Sequence, residues 1–120
     1  MEHNFVSIWI GHFSNSEELN TYASEKYTED GDLIKSEFMK DFKIDFIDHD
    51  FMEVLFDSNA NSILGLIEPM SYSESIIPHI SKINDAGYNS IICIYNYKYN
   101  NQNDPLKNLL KFIGVFVYIK

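Results

Sequence analysis

The chain has 120 residues, 45% of them hydrophobic and 15% aromatic, and carries a formal net charge of −9. That is enough apolar material for one core and too little for two, which predicts a single domain over residues 1–120 and argues against a disordered chain. Lys and Arg together number 9 against 18 acids, and Arg is absent. Phosphate contacts need clustered basic side chains, so direct binding to nucleic acid or to an anionic membrane is disfavoured and a basic protein partner is expected.

The opening MEHNFVSIWIGHF has neither the positive start nor the cleavage pattern of a secretion signal, and no apolar run approaches the ~20 residues of a membrane span. The expected location is cytoplasmic. Phe5, Ser7 and Trp9 alternate with Val6, Ile8 and Ile10 before Gly11, apolar on both faces, which predicts a strand near the middle of a sheet. Ser14 and Glu17 have capping-box spacing, and Leu19, Tyr22 and Ala23 recur at helical intervals, predicting a first short helix. Glu25 to Asp32 is polar and turn-like, and Phe38, Met39 and Phe42 predict a second short helix. From Asp45 to Phe56 the pattern fits a helix through Phe46, Ile47, Phe51, Val54 and Leu55, or a partial strand through Met52, Val54 and Phe56. Periodicity does not choose between them.

Ser71 and Glu74 make another capping-box pair, followed by a stripe of Ile76, Ile77, Ile80 and Ile83 that stops at Gly87, with Pro78 expected to bend or delay the helix. Tyr88 to Tyr99 reads as the strongest strand and Phe112 to Ile119 as its antiparallel neighbour. Between them Asp104-Pro105 has the form of an N-cap with Pro at the first helical position, predicting a helical turn over Leu106 to Leu110. This order predicts an α+β fold: a small antiparallel sheet, made of the N-terminal strand plus a C-terminal hairpin, packed with several helices.

Charge is concentrated in one window. Between Glu29 and Asp57 ten acids face only Lys35, Lys40 and Lys43, and from Asp41 onward the acids alternate with Phe42, Ile44, Phe46, Ile47, Phe51 and other apolar anchors. A concentrated acidic field favours basic partners and raises their association rate. The charged contacts expected are Asp41, Asp45, Asp48, Asp50 and Glu53, with His49 among them and with Phe51 and Tyr72 as aromatic anchors.

Metal and catalytic chemistry fare worse. Gly31 and Glu37 occupy the sixth and twelfth positions of a calcium loop, but Lys26 and Thr28 then occupy the first and third, which removes two oxygen donors and adds a positive charge. Asp48, His49, Asp50 and Glu53 form the better alternative, a small metal-binding protein or enzyme, because a His among carboxylates can ligate a transition metal or move a proton. Nothing groups His3, His12 and His79, and Cys93 lies within an aliphatic run that predicts a buried, inert thiol. Serines 71, 73 and 75 lack a nucleophile elbow, Gly is too sparse for a phosphate cradle, and Tyr95, Tyr97 and Tyr99 are expected to share one strand face. No catalytic residue, metal ligand or cofactor is predicted.

Five segments in order, Trp9-Ile10-Gly11-His12-Phe13 running into Ser16-Glu17-Glu18-Leu19-Asn20 and Tyr22, Phe38-Met39-Lys40-Asp41-Phe42, Asp48-His49-Asp50-Phe51-Met52-Glu53, Ser71-Tyr72-Ser73-Glu74-Ser75, and Leu110-Lys111-Phe112-Ile113-Gly114-Val115-Phe116, carry a resemblance over nearly the full chain. Together they resemble the immunity protein 22 family of bacterial polymorphic toxin systems. His49 departs from the pattern, where another acid or a small residue is expected, and so interrupts a continuous acidic surface near neutral pH. The resemblance implies a non-enzymatic antidote that neutralises a cognate protein toxin by tight binding. Because such toxins are often nucleases with basic clefts, it also implies a basic nuclease as partner.

Overall fold

A strand that is apolar on both faces requires cover on both sides. The computed structural model of the chain, which describes residues 4–60, 62–80, 87–99 and 110–119, supplies that cover in an α+β architecture. Strand β1 (Asn4–Gly11) is followed by α1 (Ser16–Ala23), a minimal hairpin of β2 (Lys26–Tyr27) and β3 (Leu33–Ile34), and α2 (Glu37–Phe42). A 3-10 turn at His49–Phe51 leads into β4 (Met52–Phe56), then come α3 (Ile63–Ile67), α4 (Ser73–Ile80), β5 (Ser90–Tyr95) and β6 (Leu110–Tyr118). The main sheet has four strands in the order β4-β5-β1-β6, each neighbouring pair antiparallel. Among the described residues no helix is long and apolar enough to cross a membrane.

Alternation along the two interior strands divides the core in two. Trp9, Ile92 and Ile94 point toward α1, α2 and the Ile44–Ile47 segment, meeting Phe13, Leu19, Phe38, Met39 and Phe42. Val6, Ile8, Ile10, Ile91 and Cys93 point the other way, onto Ile63, Leu66 and Ile67 of α3 and Ile76 and Ile80 of α4. Asn89 closes one end: its side chain accepts from the Phe13 amide at 2.9 Å and donates to the Phe13 carbonyl at 2.8 Å, fixing the loop that leaves β1.

Several expectations change. The C-terminal strand pairs with β1 and not with β5, so the N-terminal strand inserts between the two arms expected to form a hairpin; Val6 faces Tyr95 on one side and Phe116 on the other. Local alternation reports that a strand is covered, not which strand lies beside it. The β1–β6 register shifts between Ile8 and Trp9, where Gly114 takes a φ of 144°. That bulge needs glycine, because a Cβ there would sit 3.1 Å from the Phe116 ring.

The 45–56 ambiguity resolves as a 3-10 turn and then a strand. The cap of α1 is Asn15, whose side chain accepts from the Glu18 amide, rather than Ser14, because the same three-residue spacing recurs one position later. Ser71 is not the cap of α4; it bonds Glu53 instead. Helix α4 runs through Pro78 to Ile80, and Gly87 adopts the left-handed φ of 91° expected of it, while Ile83 lies outside the described residues. The turn expected over Leu106 to Leu110 likewise lies outside them except for Leu110, which begins β6. Strand β5 stops at Tyr95 because Asn96 turns it with a φ of 59°, so Tyr95 joins the α3–α4 side and Tyr99 the α1–α2 side. Tyr97 packs on the same side as Tyr99, so the three tyrosines do not share one face.

Candidate partner-binding surface

Local backbone devices decide which members of the acidic window reach the surface. Lys43, at a φ of 55°, ends α2 in a left-handed turn, after which Ile44 and Ile47 return to the core while Asp45 and Phe46 stay exposed. Asp48 Oδ1 accepts from the Asp50 amide at 3.1 Å and so caps the 3-10 turn, leaving Asp48, His49, Asp50 and Phe51 exposed. Phe46 is 73% exposed and Phe51 42%, so neither is the core anchor that the apolar alternation implied. Past the turn, β4 forms one edge of the sheet. Met52, Val54 and Phe56 pack against the α1–α2 cluster and Leu55 against the α3–α4 cluster.

Glu53 is the most firmly held carboxylate of the group. The Ser71 amide donates to its Oε1 at 3.0 Å and the Ser71 hydroxyl to its Oε2 at 2.6 Å, while the Tyr95 hydroxyl shares its one proton between Oε1 at 3.0 Å and the Ser71 carbonyl at 2.8 Å. Burial first, with the neighbouring Glu53 carboxylate adding to it, pushes the Tyr95 phenol well above its usual range. Tyr72, at a φ of 60°, lays its ring on Tyr118 with centroids 4.9 Å apart and an interplanar angle of 23°, and meets Tyr95 edge-on at 6.0 Å. Asp50, Phe51, Glu53, Ser71, Tyr72, Tyr95 and Tyr118 together line a cavity of about 210 Å³. A second, of about 230 Å³, is lined by Phe46, Ile47, Asp48, Phe51 and residues 94–97, so Phe51 and Tyr95 border both.

The predicted contacts thus divide. Asp48, Asp50, Phe51, Glu53 and Tyr72 come together around these two cavities, whereas Asp41, Asp45 and His49 are engaged elsewhere. Asp41 Oδ2 accepts from the Tyr22 hydroxyl at 2.6 Å, tying α2 to α1. Asp45 pairs with Lys35 at 2.7 Å, and the hydrogen bond and charge of Lys35 hold its carboxyl below the usual carboxylate range. His49 Nε2 lies 2.9 Å from Glu25 Oε1 and borders a more open depression of about 430 Å³ on the Met52–Val54 side of β4. His49 and Glu53 therefore serve different faces, and the set Asp48, His49, Asp50 and Glu53 does not converge; among the described residues no three His, Cys, Asp or Glu could hold one metal ion. Also among the described residues, Asp48, Asp50 and Glu53 belong to none of the ion pairs, which join Lys35 to Asp45, Lys40 to Glu37 and His49 to Glu25.

Sequence reasoning missed Ser71 and Tyr118 as parts of this surface and assigned Tyr95 to another. A signal existed for Tyr95, since a tyrosine inside a buried strand must find a partner for its hydroxyl. Comparison with curated proteins and with solved structures gave no match. A family model described as Immunity protein 22 matches residues 6–119, from β1 through the end of β6, and takes in every segment that carried the resemblance. The chain belongs to the Immunity protein 22 family.

Proposed function

We propose that the chain is a cytoplasmic, non-enzymatic inhibitor that binds a cognate protein toxin through the surface around Asp48, Asp50, Phe51, Glu53 and Tyr72. The observation that carries this reading is the exposed Phe46–Phe51 turn, which carries Asp48 and Asp50 with no cationic partner among the described residues. Charges left without partners in the free protein steer a basic partner, and exposed aromatics beside them supply the buried contacts that slow its release. A nuclease fits this chemistry, because a cleft that holds phosphates must be basic and an acidic inhibitor fills it by the same attraction. Family membership supports the immunity role, and the formal charge of −9 supports the choice of partner.

The test uses the toxin encoded beside this gene. Asp48→Asn with Asp50→Asn should slow its association about tenfold or more at low salt and much less at high salt, because exposed charges are screened over a Debye length of ~8 Å at physiological ionic strength. Asn still caps the 3-10 turn at position 48, so the fold should be unaffected. Glu53 is left out of this pair because its hydrogen bonds to Ser71 and Tyr95 give it a structural part as well. Unchanged association rate constants at low salt would place the interface elsewhere.

A further inference from the structure

We infer that the cavity between Glu53 and Tyr72 is a receptor for a single arginine side chain of the partner, an inference that rests on the toxin-binding reading above. Its walls are rings: Tyr72, Tyr95 and Tyr118 in mutual contact, with Phe51 across from them. Two carboxylates line it as well, Asp50 exposed and Glu53 half-buried. Among the described residues no lysine lines it, and the chain has no arginine of its own to fill it. Aromatic faces with carboxylates beside them bind cations by ring quadrupole and charge together.

Guanidinium fits this arrangement better than ammonium. The Ser71 amide and hydroxyl already hold the Glu53 carboxylate, one on each oxygen, and Tyr95 shares its single proton between Oε1 and the Ser71 carbonyl, so lone pairs remain on Glu53 for one further donor while exposed Asp50 is open to a second. A planar fork supplies two such donors at once and stacks its flat face on the exposed ring of Tyr72. A metal ion is poorly served, since two carboxylates, one of them committed to hydrogen bonds, leave too few oxygen donors. The volume of about 210 Å³ is enough to seat one long side chain.

The backbone offers an independent test of this role. Tyr72 sits at a φ of 60°, where glycine is at ease and tyrosine is not, so Tyr72→Gly removes the ring while relieving the backbone. N-acetyl-arginine amide, N-acetyl-lysine amide and sodium chloride are each titrated into the free protein at matched ionic strength, following the amide resonances of Ser71 and Tyr72. Arginine should give saturable shifts confined to the cavity, binding more tightly than lysine, and Tyr72→Gly should weaken it about tenfold while unfolding as cooperatively as the parent. Equal shifts from sodium chloride, equal affinity for lysine, or undiminished affinity in folded Tyr72→Gly would each overturn the inference. Because this assay contains no toxin, loss of the arginine site leaves the toxin interface standing if Asp48→Asn with Asp50→Asn still slows association. An arginine site in a protein that no longer captures the toxin fails the other way.

Discussion

On one side of the sheet Trp9 is ringed by Phe38, Phe42, Tyr99 and Phe112, with centroids 5.0 to 5.8 Å away and three of the four contacts edge-on, while on the other side the same strands meet isoleucine, leucine and Cys93. Ring edges have preferred directions and aliphatic methyls have almost none, so the aromatic face fixes geometry where the aliphatic face mainly fills space. The difference shows in what each face supports. The aromatic side holds the irregular segments, with Tyr99 donating to the Phe42 carbonyl at 3.0 Å and the Ser7 hydroxyl bridging the Tyr97 carbonyl at 2.7 Å and the Tyr99 amide at 2.9 Å. The aliphatic side leaves its rim free for Tyr72, Tyr95, Tyr118 and Glu53.

Trp9→Ala should therefore be the most damaging substitution, at about 3–5 kcal/mol by chemical denaturation, whereas Ile8→Val on the other face should cost only about 0.5–1.5 kcal/mol. A Trp9→Ala cost as small as that of Ile8→Val would mean that the ring cluster around Trp9 does not form in solution. Even Trp9 is imperfectly served: its Nε1 is buried without a hydrogen-bond partner among the described residues. Next in size is Gly114→Ala, which places a Cβ 3.1 Å from the Phe116 ring at a φ of 144° and should lower stability by about 1–3 kcal/mol. A wild-type melting temperature in that variant would show that the bulge slides to another residue.

Titration probes both faces at once. Burial raises the Tyr22 phenol on the aromatic side, with the Asp41 hydrogen bond adding to it, and raises the Tyr95 phenol and the Cys93 thiol on the aliphatic side. Each keeps its proton in the folded chain past the pH at which the unfolded chain releases it. Stability should thus be complete below the unfolded pKa values, begin to fall above about pH 8.5 as the unfolded thiol ionises, and steepen above about pH 10 with the phenols, by about 1.4 kcal/mol per pH unit for each group. Denaturant midpoints from pH 7 to 11 check this, and a flat profile would contradict the burial of all three. Thiol labelling of Cys93 at neutral pH should likewise follow global unfolding. Tyr22→Phe should cost only about 1 kcal/mol, since Asp41 is only half-buried and water can replace the lost donor.

What could be read in advance depended on how far apart the deciding residues lie. The two apolar faces of Asn4–Gly11 reveal an interior strand without reference to anything else, and Phe38, Met39 and Phe42 reveal α2 in the same way. Pairing partners were not legible, because nothing local in Phe112 to Tyr118 distinguishes β1 from β5 as neighbour. Nor did the acidic window announce which of its aromatics face water: Phe42 is buried and Phe46 exposed, a distinction made by the left-handed turn at Lys43. Within the candidate surface, Asp48 to Glu53 could be read as a continuous segment, whereas Ser71, Tyr95 and Tyr118 reach it only through the tertiary fold.

The insertion of β1 between β5 and β6 also sets a schedule. Val6 has no sheet neighbour until Tyr95 and Phe116 have been synthesised, so the strand made first waits for those made last, and the fold closes only through contacts of long sequence separation. Such topologies fold in roughly milliseconds to seconds rather than microseconds, and a nascent chain holding Val6, Ile8 and Trp9 uncovered is exposed to aggregation meanwhile. For a protein proposed to guard its own cell, protection would begin only when the last strand docks. A chain cut short before Leu110 would leave one edge of β1 open.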